Sequence, residues 1–467
     1  MKKLFVFFLF LIITEISFAQ GFGSYKIDFL GNWNNPELPK SSIGQIWNDL
    51  TGYYDSLTGK EYVIIGSTDS IYFFDVTDPK NIKLCDVEFG NNRGVINRDF
   101  ECLSHYVYCV SDNAPAGSLQ VFDLRYLPDS VHKVYDSDSL GVNTHSIFIN
   151  RQSKRLYMCA NTLKRGGRAA IDVLSLENPE VPRWIGRLNI PQTADGTPLF
   201  KTIHEIYQRN DTIYASAEWY GLWIFDMTDL NNQKLLGVIR NYPFNGYNHN
   251  GWLSPNGKYF CFTDEVPQGL PLKIFDISDM ANSKLVTMFH NGNATKSTPH
   301  NPFWIGNNIH VSYYHDGYVI FNADNIDSIY PSAWFYTSPV PPQTYEGFRG
   351  NWGLYPYFPS GNIALSDMQF GLYMVKPHQS VILSNRVKVS EQIQINIYPN
   401  PSTLGFIDVL CVEPSDYRII DQNGKFLLKG TTHHQNQRID ISMLQNGIYY
   451  INIATQKSSV TKKIIKQ

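Results

Sequence analysis

The segment Ile71-Tyr-Phe-Phe-Asp-Val-Thr-Asp-Pro79 decides the fold, because its pattern of strand residues, an aspartate and a turn returns along the chain. Copies of it recur about every 50 residues, a period typical of a protein built from one repeated supersecondary unit. The residues at the fifth position of the copies are Asp75, Asp123, Asp172, Asp226, Asp276, Asn322 and Lys376. The sequence therefore predicts an array of similar units.

Each copy contains further strand signals around this segment. A β-rich stretch precedes it, another strand follows its turn in most copies, and an earlier strand opens the copy. Four antiparallel strands per copy, without a long amphipathic helix, are typical of a propeller blade. We expect an all-β chain in which residues 20–376 form a seven-bladed β-propeller. The last copy lacks a fourth strand, and residues 25–30 are expected to supply it and close the ring.

The repeated aspartate invites a catalytic interpretation, but its position favours a structural one. In the first five copies it stands where the third strand ends and a turn begins. Short acidic side chains at such positions accept hydrogen bonds from backbone amides. We therefore expect these five aspartates to be turn residues.

The N-terminal end of the chain indicates export. A basic start and the apolar run of residues 4–16 precede Ser17 and Ala19, which is typical of a secretory signal peptide over residues 1–19. No later apolar run approaches the roughly 20 residues of a transmembrane helix, so none is predicted in the mature protein. The net charge of −3 argues against nucleic acid as a partner.

A second unit follows the repeats. After a polar linker at 377–391, residues 392–467 contain short alternating strands with Asn-Gly turns, which predict a small β-sandwich. This unit resembles the C-terminal sorting domain of the type IX secretion system of Bacteroidota, through Tyr398-Pro-Asn-Pro401, Asp421-Gln-Asn-Gly-Lys425, Leu444-Gln-Asn-Gly-Ile-Tyr449 and a basic tail. The resemblance implies that the type IX machinery is a partner and that the protein reaches the cell surface or the extracellular space.

Alignment of the copies on their opening strands predicts a ring of polar side chains around the propeller channel. The aligned position holds a histidine in four consecutive copies, and carboxylates stand at the ends of the second strands, which share the same face. Convergent polar groups around a concavity are typical of a ligand site. The candidate ligand-binding residues are Asp99, His145, His204, His249, His300, Glu218, Asp264, Glu265, Asp316 and Trp352.

Three interpretations of the histidines stay open at the level of the sequence. They can pin the blades through hydrogen bonds, bind a ligand, or hold a divalent metal such as zinc, with His204, His249 and His300 as the candidates for a metal. No cofactor and no catalytic residue is predicted, because the sequence contains neither a Gly-x-Ser-x-Gly elbow nor a His-Glu-x-x-His pair.

The histidine segments also carry a family resemblance. The segments His249-Asn-Gly-Trp-Leu-Ser254, Pro299-His-Asn-Pro302 and Asn351-Trp-Gly353 resemble the choice-of-anchor B family, whose members are built from LVIVD repeats. The resemblance spans about residues 25–376 and implies a β-propeller. One of the anchors found in that family is a type IX sorting domain, which agrees with residues 392–467. The chain departs from the repeat at Asn322 and Lys376.

These observations together predict an exported β-propeller that acts as a binding module through its histidine-rich and acidic face. Its ligand would be a glycan, a peptide or a surface protein. The alternative is an enzyme, a hydrolase or lyase that acts through the ring of His, Asp and Glu side chains, with or without a divalent metal. The lack of a recognisable nucleophile or tight metal motif favours binding over catalysis.

Overall fold

The computed structural model describes residues 23–112, 117–293, 296–339, 344–383, 396–410, 415–421, 426–432, 436–454 and 459–467. The predicted signal peptide lies outside the described residues, and so does most of the predicted linker. The chain divides into two compact units, Met1–Ile382 and Leu383–Gln467. Both are built from antiparallel β-sheets, and each has its own core.

The first unit begins with strands β1 (Ser24–Tyr25) and β2 (Ile27–Trp33). Its first sheet consists of β3 (Trp47–Asp55), β4 (Lys60–Ser67), β5 (Ser70–Asp75) and β6 (Lys83–Phe89). The second sheet consists of β7 (Arg98–Leu103), β8 (Tyr106–Ser111), β9 (Leu119–Asp123) and β10 (His132–Ser137). The third contains β11 (Ser146–Asn150) and β12 (Arg155–Cys159), then a separate hairpin of β13 (Thr162–Leu163) and β14 (Gly167–Arg168), and finally β15 (Ile171–Ser175) and β16 (Arg183–Arg187).

Four more sheets complete this unit. The fourth consists of β17 (Glu205–Arg209), β18 (Thr212–Ser216), β19 (Leu222–Asp226) and β20 (Lys234–Ile239). The fifth contains β21 (Asn248–Leu253), β22 (Tyr259–Asp264), β23 (Leu272–Asp276), a short 3-10 helix (Met280–Asn282) and β24 (Lys284–Phe289). The sixth consists of β25 (Pro302–Ile305), β26 (Asn308–Ser312), β27 (Tyr318–Asn322) and β28 (Tyr330–Phe335). The seventh contains β29 (Asn351–Tyr355), β30 (Ile363–Asp367) and β31 (Gly371–Pro377), and helix α1 (Gln379–Leu383) follows it.

The N-terminal strands join the last two sheets. Strand β2 pairs antiparallel with β31, with Ile27 opposite Pro377, and so forms the fourth strand of the seventh sheet. Strand β1 pairs with β28 and adds a fifth strand to the sixth sheet. The predicted pairing of the N-terminal segment with the third strand of the last copy is confirmed, and its strand extends to Trp33.

Hydrophobic clusters lie between neighbouring sheets. Phe73 of the first sheet and Phe122 of the second, for example, meet edge to face with their ring centroids 5.6 Å apart. Further clusters join each later sheet to the next, and another joins Phe74 of the first sheet to Leu372 and Met374 of the seventh. Burial of each such side chain contributes roughly 1.5–3 kcal/mol, so these clusters hold the sheets together.

Four of the five repeated aspartates occupy turns, as predicted. The carboxylates of Asp75, Asp123, Asp226 and Asp276 each accept a hydrogen bond from the backbone N–H two residues later, at 2.9–3.0 Å. The prediction for Asp172 is wrong: its carboxylate is buried within β15 and accepts from the Trp184 indole at 2.8 Å. Ser175 ends that strand instead, and its hydroxyl accepts from the backbone N–H of Glu177.

The second unit contains two antiparallel sheets that share one core. One sheet is formed by β32 (Asn396–Tyr398), β33 (Phe406–Leu410) and β36 (Asn436–Asp440). The other is formed by β34 (Ser415–Ile420), β35 (Phe426–Thr432), β37 (Gly447–Ala454) and β38 (Ser459–Lys466). Ile407 and Ile439 of the first sheet belong to the same buried cluster as Ile419 and Ile451 of the second.

Candidate functional site

The first strands of the seven sheets meet at the centre of the first unit. Strands β3, β7, β11, β17, β21 and β25 contact one another in this order, and β29 contacts both β26 and β3. Side chains that leave these strands on their inner side therefore converge, as the repeat predicted.

Strand pairing changes the predicted alignment of the second copy. Phe100 and Ile147 occupy equivalent positions in the first strands of their sheets. Each pairs with a residue of the second strand, and in both sheets that residue pairs with the second residue of the third strand. Asp99 is therefore level with Ser146 and lies one residue further along its strand than His145 does.

A bulge has the same effect in the first copy. The pairing of β3 with β4 shifts between Trp47 and Leu50, which brings Asp49 to the level of Asp99. The Trp47 ring lies in the core, with its centroid 5.7 Å from that of Trp33 and 5.1 Å from that of Tyr72.

The four aligned histidines form an arc of neighbouring rings. The centroids of His145 and His204 are 3.9 Å apart, those of His204 and His249 are 4.3 Å apart, and those of His249 and His300 are also 4.3 Å apart. We call these four residues the histidine arc. The structure thus brings together the residues that the repeat placed in register.

The first two members of the arc are held by polar partners. His145 Nδ1 lies 2.5 Å from the Asp112 carboxylate, and His204 Nδ1 lies 2.9 Å from the Tyr247 hydroxyl. Their Nε2 atoms face each other at 2.9 Å, so one of them donates and the other accepts. Burial holds the pKa of His204 well below its usual value, and the neighbouring His145 lowers it further.

The other two members lie deeper. Burial lowers the pKa of His300 to about 3 and that of His249 well below its usual value, so both rings are neutral near pH 7. His300 Nδ1 donates to the backbone carbonyl of Trp352 at 2.7 Å. Glu265 accepts a short hydrogen bond from the Tyr314 hydroxyl, and burial raises the pKa of this carboxyl.

Among the described residues, two sets of side chains near the arc could hold a metal ion. In the first set, the ligand atoms of His204, Glu205 and His249 lie within 4.8 Å of one another, and in the second those of His249, Glu265 and His300 do. Both sets combine imidazoles with one carboxylate, a combination that zinc accepts. His249 belongs to both.

The remaining predicted carboxylates lie apart from one another. Asp264 forms a fully buried ion pair with Lys273 at 2.7 Å, and Asp316 accepts a hydrogen bond from Asn291 at 2.7 Å. The Asp264 pair lies within the fifth sheet, whereas Asp316 lies between β26 and β27 of the sixth sheet and its partner Asn291 follows β24 of the fifth. Burial raises the pKa of Glu218, and its hydrogen bond with Tyr247 opposes that shift.

A pocket of about 590 Å³ lies among the first strands. It reaches the turns after β11 and β17, at the opposite ends of these strands from the histidine arc. Of the ten predicted site residues, only Asp99 lines it. The pocket wall consists of a layer of carboxylates and amides and a belt of aromatic rings.

Four carboxyl side chains line the pocket, and Glu101 pairs there with Arg151 at 2.9 Å. The other three, Asp49, Asp99 and Glu205, form the acidic layer. None of them has an ion-pair partner among the residues that the structure describes. Burial raises the pKa of Asp49 to about 7 and those of Asp99 and Glu205 well above their usual values, and repulsion among the carboxylates adds to the last two shifts. Asn250 and Asn301 continue this layer, with an amide hydrogen bond of 3.1 Å between them.

Aromatic rings form a continuous belt next to the acidic layer. The tilted rings of Tyr207 and Trp252 have centroids 4.6 Å apart. The Trp252 centroid lies 4.6 Å from that of Phe303, which lies 6.1 Å from that of Tyr357. Phe148 extends the belt beyond Tyr207 at 6.0 Å. We call these five residues the aromatic belt.

The sequence analysis missed Asp49, Glu205 and the aromatic belt. A usable signal was present, because side chains alternate between the two faces of a strand. From Glu205, a step of two residues along β17 reaches Tyr207 of the belt. The bulge in β3 hid Asp49 from the same rule.

Comparison with known families identifies the second unit. Residues 396–467 match the model of the family described as a secretion system C-terminal sorting domain. This unit is therefore a type IX sorting domain, as its motifs predicted, and it supports export to the cell surface or the extracellular space. Among the described residues, no helix combines the length and the apolar character that crossing a membrane requires.

Solved structures are similar to this chain in fold. One of them, titled "Structure of U3-55K", matches with a TM-score of 0.51 at 7% identity and covers 75% of this chain and 98% of its own. At this identity the likeness concerns the fold alone. A search of curated protein sequences returned no match.

Proposed function

We propose that the first unit is a closed seven-bladed β-propeller of the choice-of-anchor B type. Seven antiparallel sheets, hydrophobic clusters between successive sheets and a further cluster between the seventh and the first support this architecture. The pairing of β2 with β31 supports closure by the N-terminal segment.

The propeller is delivered by export and then acts outside the cell. A signal peptide at residues 1–19 directs passage through the inner membrane, and the sorting domain directs passage through the outer membrane of a member of the Bacteroidota. The match of residues 396–467 to the sorting family supports the second step.

The central pocket is a binding site for a glycan. The observation that carries this proposal is the aromatic belt beside a layer of carboxylates and amides in one cavity of about 590 Å³. Concave sites of this size, with apolar walls and a few convergent polar groups, are typical of small-ligand binding. A sugar ring offers an apolar face to the rings and hydroxyl groups to the polar layer.

The pKa shifts of the acidic layer suit a neutral, hydroxyl-rich ligand. A carboxyl that keeps its proton can both donate and accept a hydrogen bond, whereas a carboxylate only accepts. A protonated carboxyl at Asp49 or Asp99 therefore offers both a donor and an acceptor to a sugar hydroxyl. This interpretation keeps the predicted binding module and moves its site from the histidine-rich face to the central pocket.

A pair of tyrosine variants tests this site. Tyr357 lines the pocket and is 44% exposed, and Tyr330, which is 54% exposed, lies on the outer strand β28 away from it. We expect a glycan panel read by calorimetry to yield a binder whose affinity falls at least about tenfold in Tyr357→Ala, because a ring stacking partner is lost. Tyr330→Ala should bind as the parent protein does. Equal effects of the two variants, or no binder in the panel, would contradict the proposal.

Cleavage of the bound ligand, by hydrolysis or by a lyase reaction, is the second candidate function. The observation that favours it is the buried Asp49 carboxyl, whose pKa burial raises to about 7, a value that suits proton transfer near neutral pH, beside Asp99, whose pKa is also raised by burial. The Asp49→Asn variant should then bind the glycan and fail to cleave it. If the ligand stays intact after long incubation with the parent protein, catalysis is excluded and binding is the remaining function.

A further inference from the structure

We infer that His249, Glu265 and His300 form a binding site for a divalent transition-metal ion of the zinc class. Their ligand atoms lie within 4.8 Å of one another, and His300 Nε2 is 3.9 Å from Glu265 Oε1. That separation is too long for a hydrogen bond. It fits two ligands on one ion, because bonds of about 2.1 Å allow ligand atoms up to about 4.2 Å apart.

The hydrogen bonds around the site orient its ligands. A backbone carbonyl can only accept, so the bond from His300 Nδ1 to Trp352 O places the proton on Nδ1. The Nε2 lone pair of His300 is consequently left for a metal. The Tyr314 hydroxyl holds the Glu265 carboxylate in the same way. Partners of this kind accompany metal-binding histidines and carboxylates in proteins.

The site also contains an unsatisfied buried atom. His249 is 2% exposed, and its Nδ1 finds no hydrogen-bond partner in the part of the chain that the structure describes. A buried nitrogen without a partner costs free energy that a metal bond would recover. Within the described residues, Glu265 has no lysine or arginine beside it, so a cation would also neutralise its charge.

The alternative set around His204 is less suited to a metal. Both ring nitrogens of His204 are already engaged, Nδ1 with the Tyr247 hydroxyl and Nε2 with His145, each at 2.9 Å. Metal binding there would have to break one of these contacts. The set of His249, Glu265 and His300 needs no such change.

The ligand types define the class of ion. Imidazole nitrogens suit zinc, copper, iron and nickel, whereas magnesium and calcium take oxygen ligands. Two histidines and one glutamate also form the protein ligands of several zinc sites that keep a fourth position open. This inference does not rest on the proposed glycan site, which uses other residues.

Metal titration of the untagged, full-length chain tests the site. The protein is stripped with a chelator, exchanged into buffer and titrated with zinc chloride, and bound metal is measured by mass spectrometry. Cobalt(II) is titrated in parallel, because its visible absorption reports the ligand set. We expect about one zinc ion per chain, loss of this binding in Glu265→Gln and His300→Gln, and about tenfold weaker binding in Tyr314→Phe.

The His204→Gln variant is the matched control, because it removes a histidine of the arc that neighbours His249 and leaves all three inferred ligands in place. It should retain one zinc ion per chain. Melting curves of the metal-free variants separate a lost ligand from a lost fold, since a folded Glu265→Gln that fails to bind supports the site. Zinc binding that survives Glu265→Gln and His300→Gln, or that follows His204 instead, overturns the inference.

Discussion

Asp49 owes its place in the pocket to the absence of a side chain on the neighbouring strand. A Cβ atom at Gly353 would overlap the Asp49 carboxylate, so glycine leaves the space that this group fills. The carboxylate accepts a hydrogen bond from the backbone N–H of Leu50 at 2.7 Å, and Asp99 makes the equivalent bond to Phe100 at 2.8 Å. Burial nevertheless dominates and raises the pKa of Asp49.

The raised pKa of Asp49 predicts a pH-dependent stability. The value rises from 3.8 to about 7 on folding, so the folded protein binds this proton more tightly than the unfolded chain does. The stabilisation is complete below pH 3.8 and is lost as pH rises through about 7. Asp49→Asn, which keeps the acceptor, should therefore be the more stable protein near pH 8, by up to about 4 kcal/mol.

Urea unfolding at several pH values measures this difference. The advantage of Asp49→Asn over the parent should shrink steadily as the pH falls from about 7 to below 3.8, where the parent carboxyl becomes protonated in both states. An advantage that stays constant between these pH values would show that the Asp49 carboxyl titrates normally.

The Lys273–Asp264 ion pair gives a second prediction at the level of single residues. Both side chains are fully buried, and their charged atoms are 2.7 Å apart. Lys273→Met leaves a buried carboxylate without its cation, and we expect the free energy of unfolding to fall by about 3–5 kcal/mol. Lys258 forms an exposed pair with Asp276 in the same sheet, so Lys258→Met is the control and should cost far less. If urea unfolding shows similar losses of unfolding free energy in the two variants, the distinction between the buried and the exposed ion pair is refuted.

Strand β2 shows what a single element contributes to the first unit. It covers the outer edge of β31, and Trp33 packs on Phe74 of the first sheet with ring centroids 4.7 Å apart. Strand β1 is only two residues long and extends the sixth sheet by one short strand. The two strands should therefore differ widely in their effect on stability.

Two N-terminal deletions compare these strands. Removal of mature residues up to Trp33 exposes the edge of β31 and opens the cluster around Trp33, so we expect a clearly lower melting temperature and aggregation. Removal up to Tyr25 takes only β1 and should leave the melting temperature nearly unchanged. Light scattering during the melt detects the aggregation, and an equally stable longer deletion would count against the closing role of β2.

At the level of elements, periodicity predicted the strands well and the register less well. The strand and turn pattern located the third strand of every copy, and it located the histidine arc through that register. It failed where the backbone adds a residue, as in the bulge between Trp47 and Leu50, because a bulge leaves no mark in the pattern of side chains. In the third copy the sequence pattern matched Asp172, which lies three residues before the turn. Ser175 occupies the turn position instead.

The pocket could not be predicted as a whole because it depends on how strands from distant repeats meet. Tyr207, Trp252 and Phe303 belong to three different sheets and form one belt only when their first strands converge. Each ring alone has the sequence signature of an ordinary core residue. Strand alternation identifies the inner face of each strand, and the convergence itself comes from the packing between sheets.

At the scale of the whole molecule, the two units have separate cores, and the second of them is the sorting domain. Among the residues that the structure describes, each unit has hydrophobic clusters of its own. A chain that lacks 383–467 should therefore fold and melt nearly as the parent does. In a host with a type IX system it should remain in the periplasm, because the sorting domain is missing.

Cell fractionation and protease treatment of intact cells locate the truncated protein. The full-length chain is the control and should be accessible to protease or found in the medium. Delivery of the truncated chain to either place would refute the role of residues 383–467.

The pairing between the two ends of the first unit, β2 and β31, has a consequence for the order of folding. Asp28 and His378, whose side chains lie 2.9 Å apart, are separated by 350 residues of sequence. Strand β2 is synthesised first and must wait for its partner until the whole repeat array has been made. Contacts between such distant residues form slowly. The first unit therefore completes its fold only after its last strand has been made, and until then β2 lacks its partner β31.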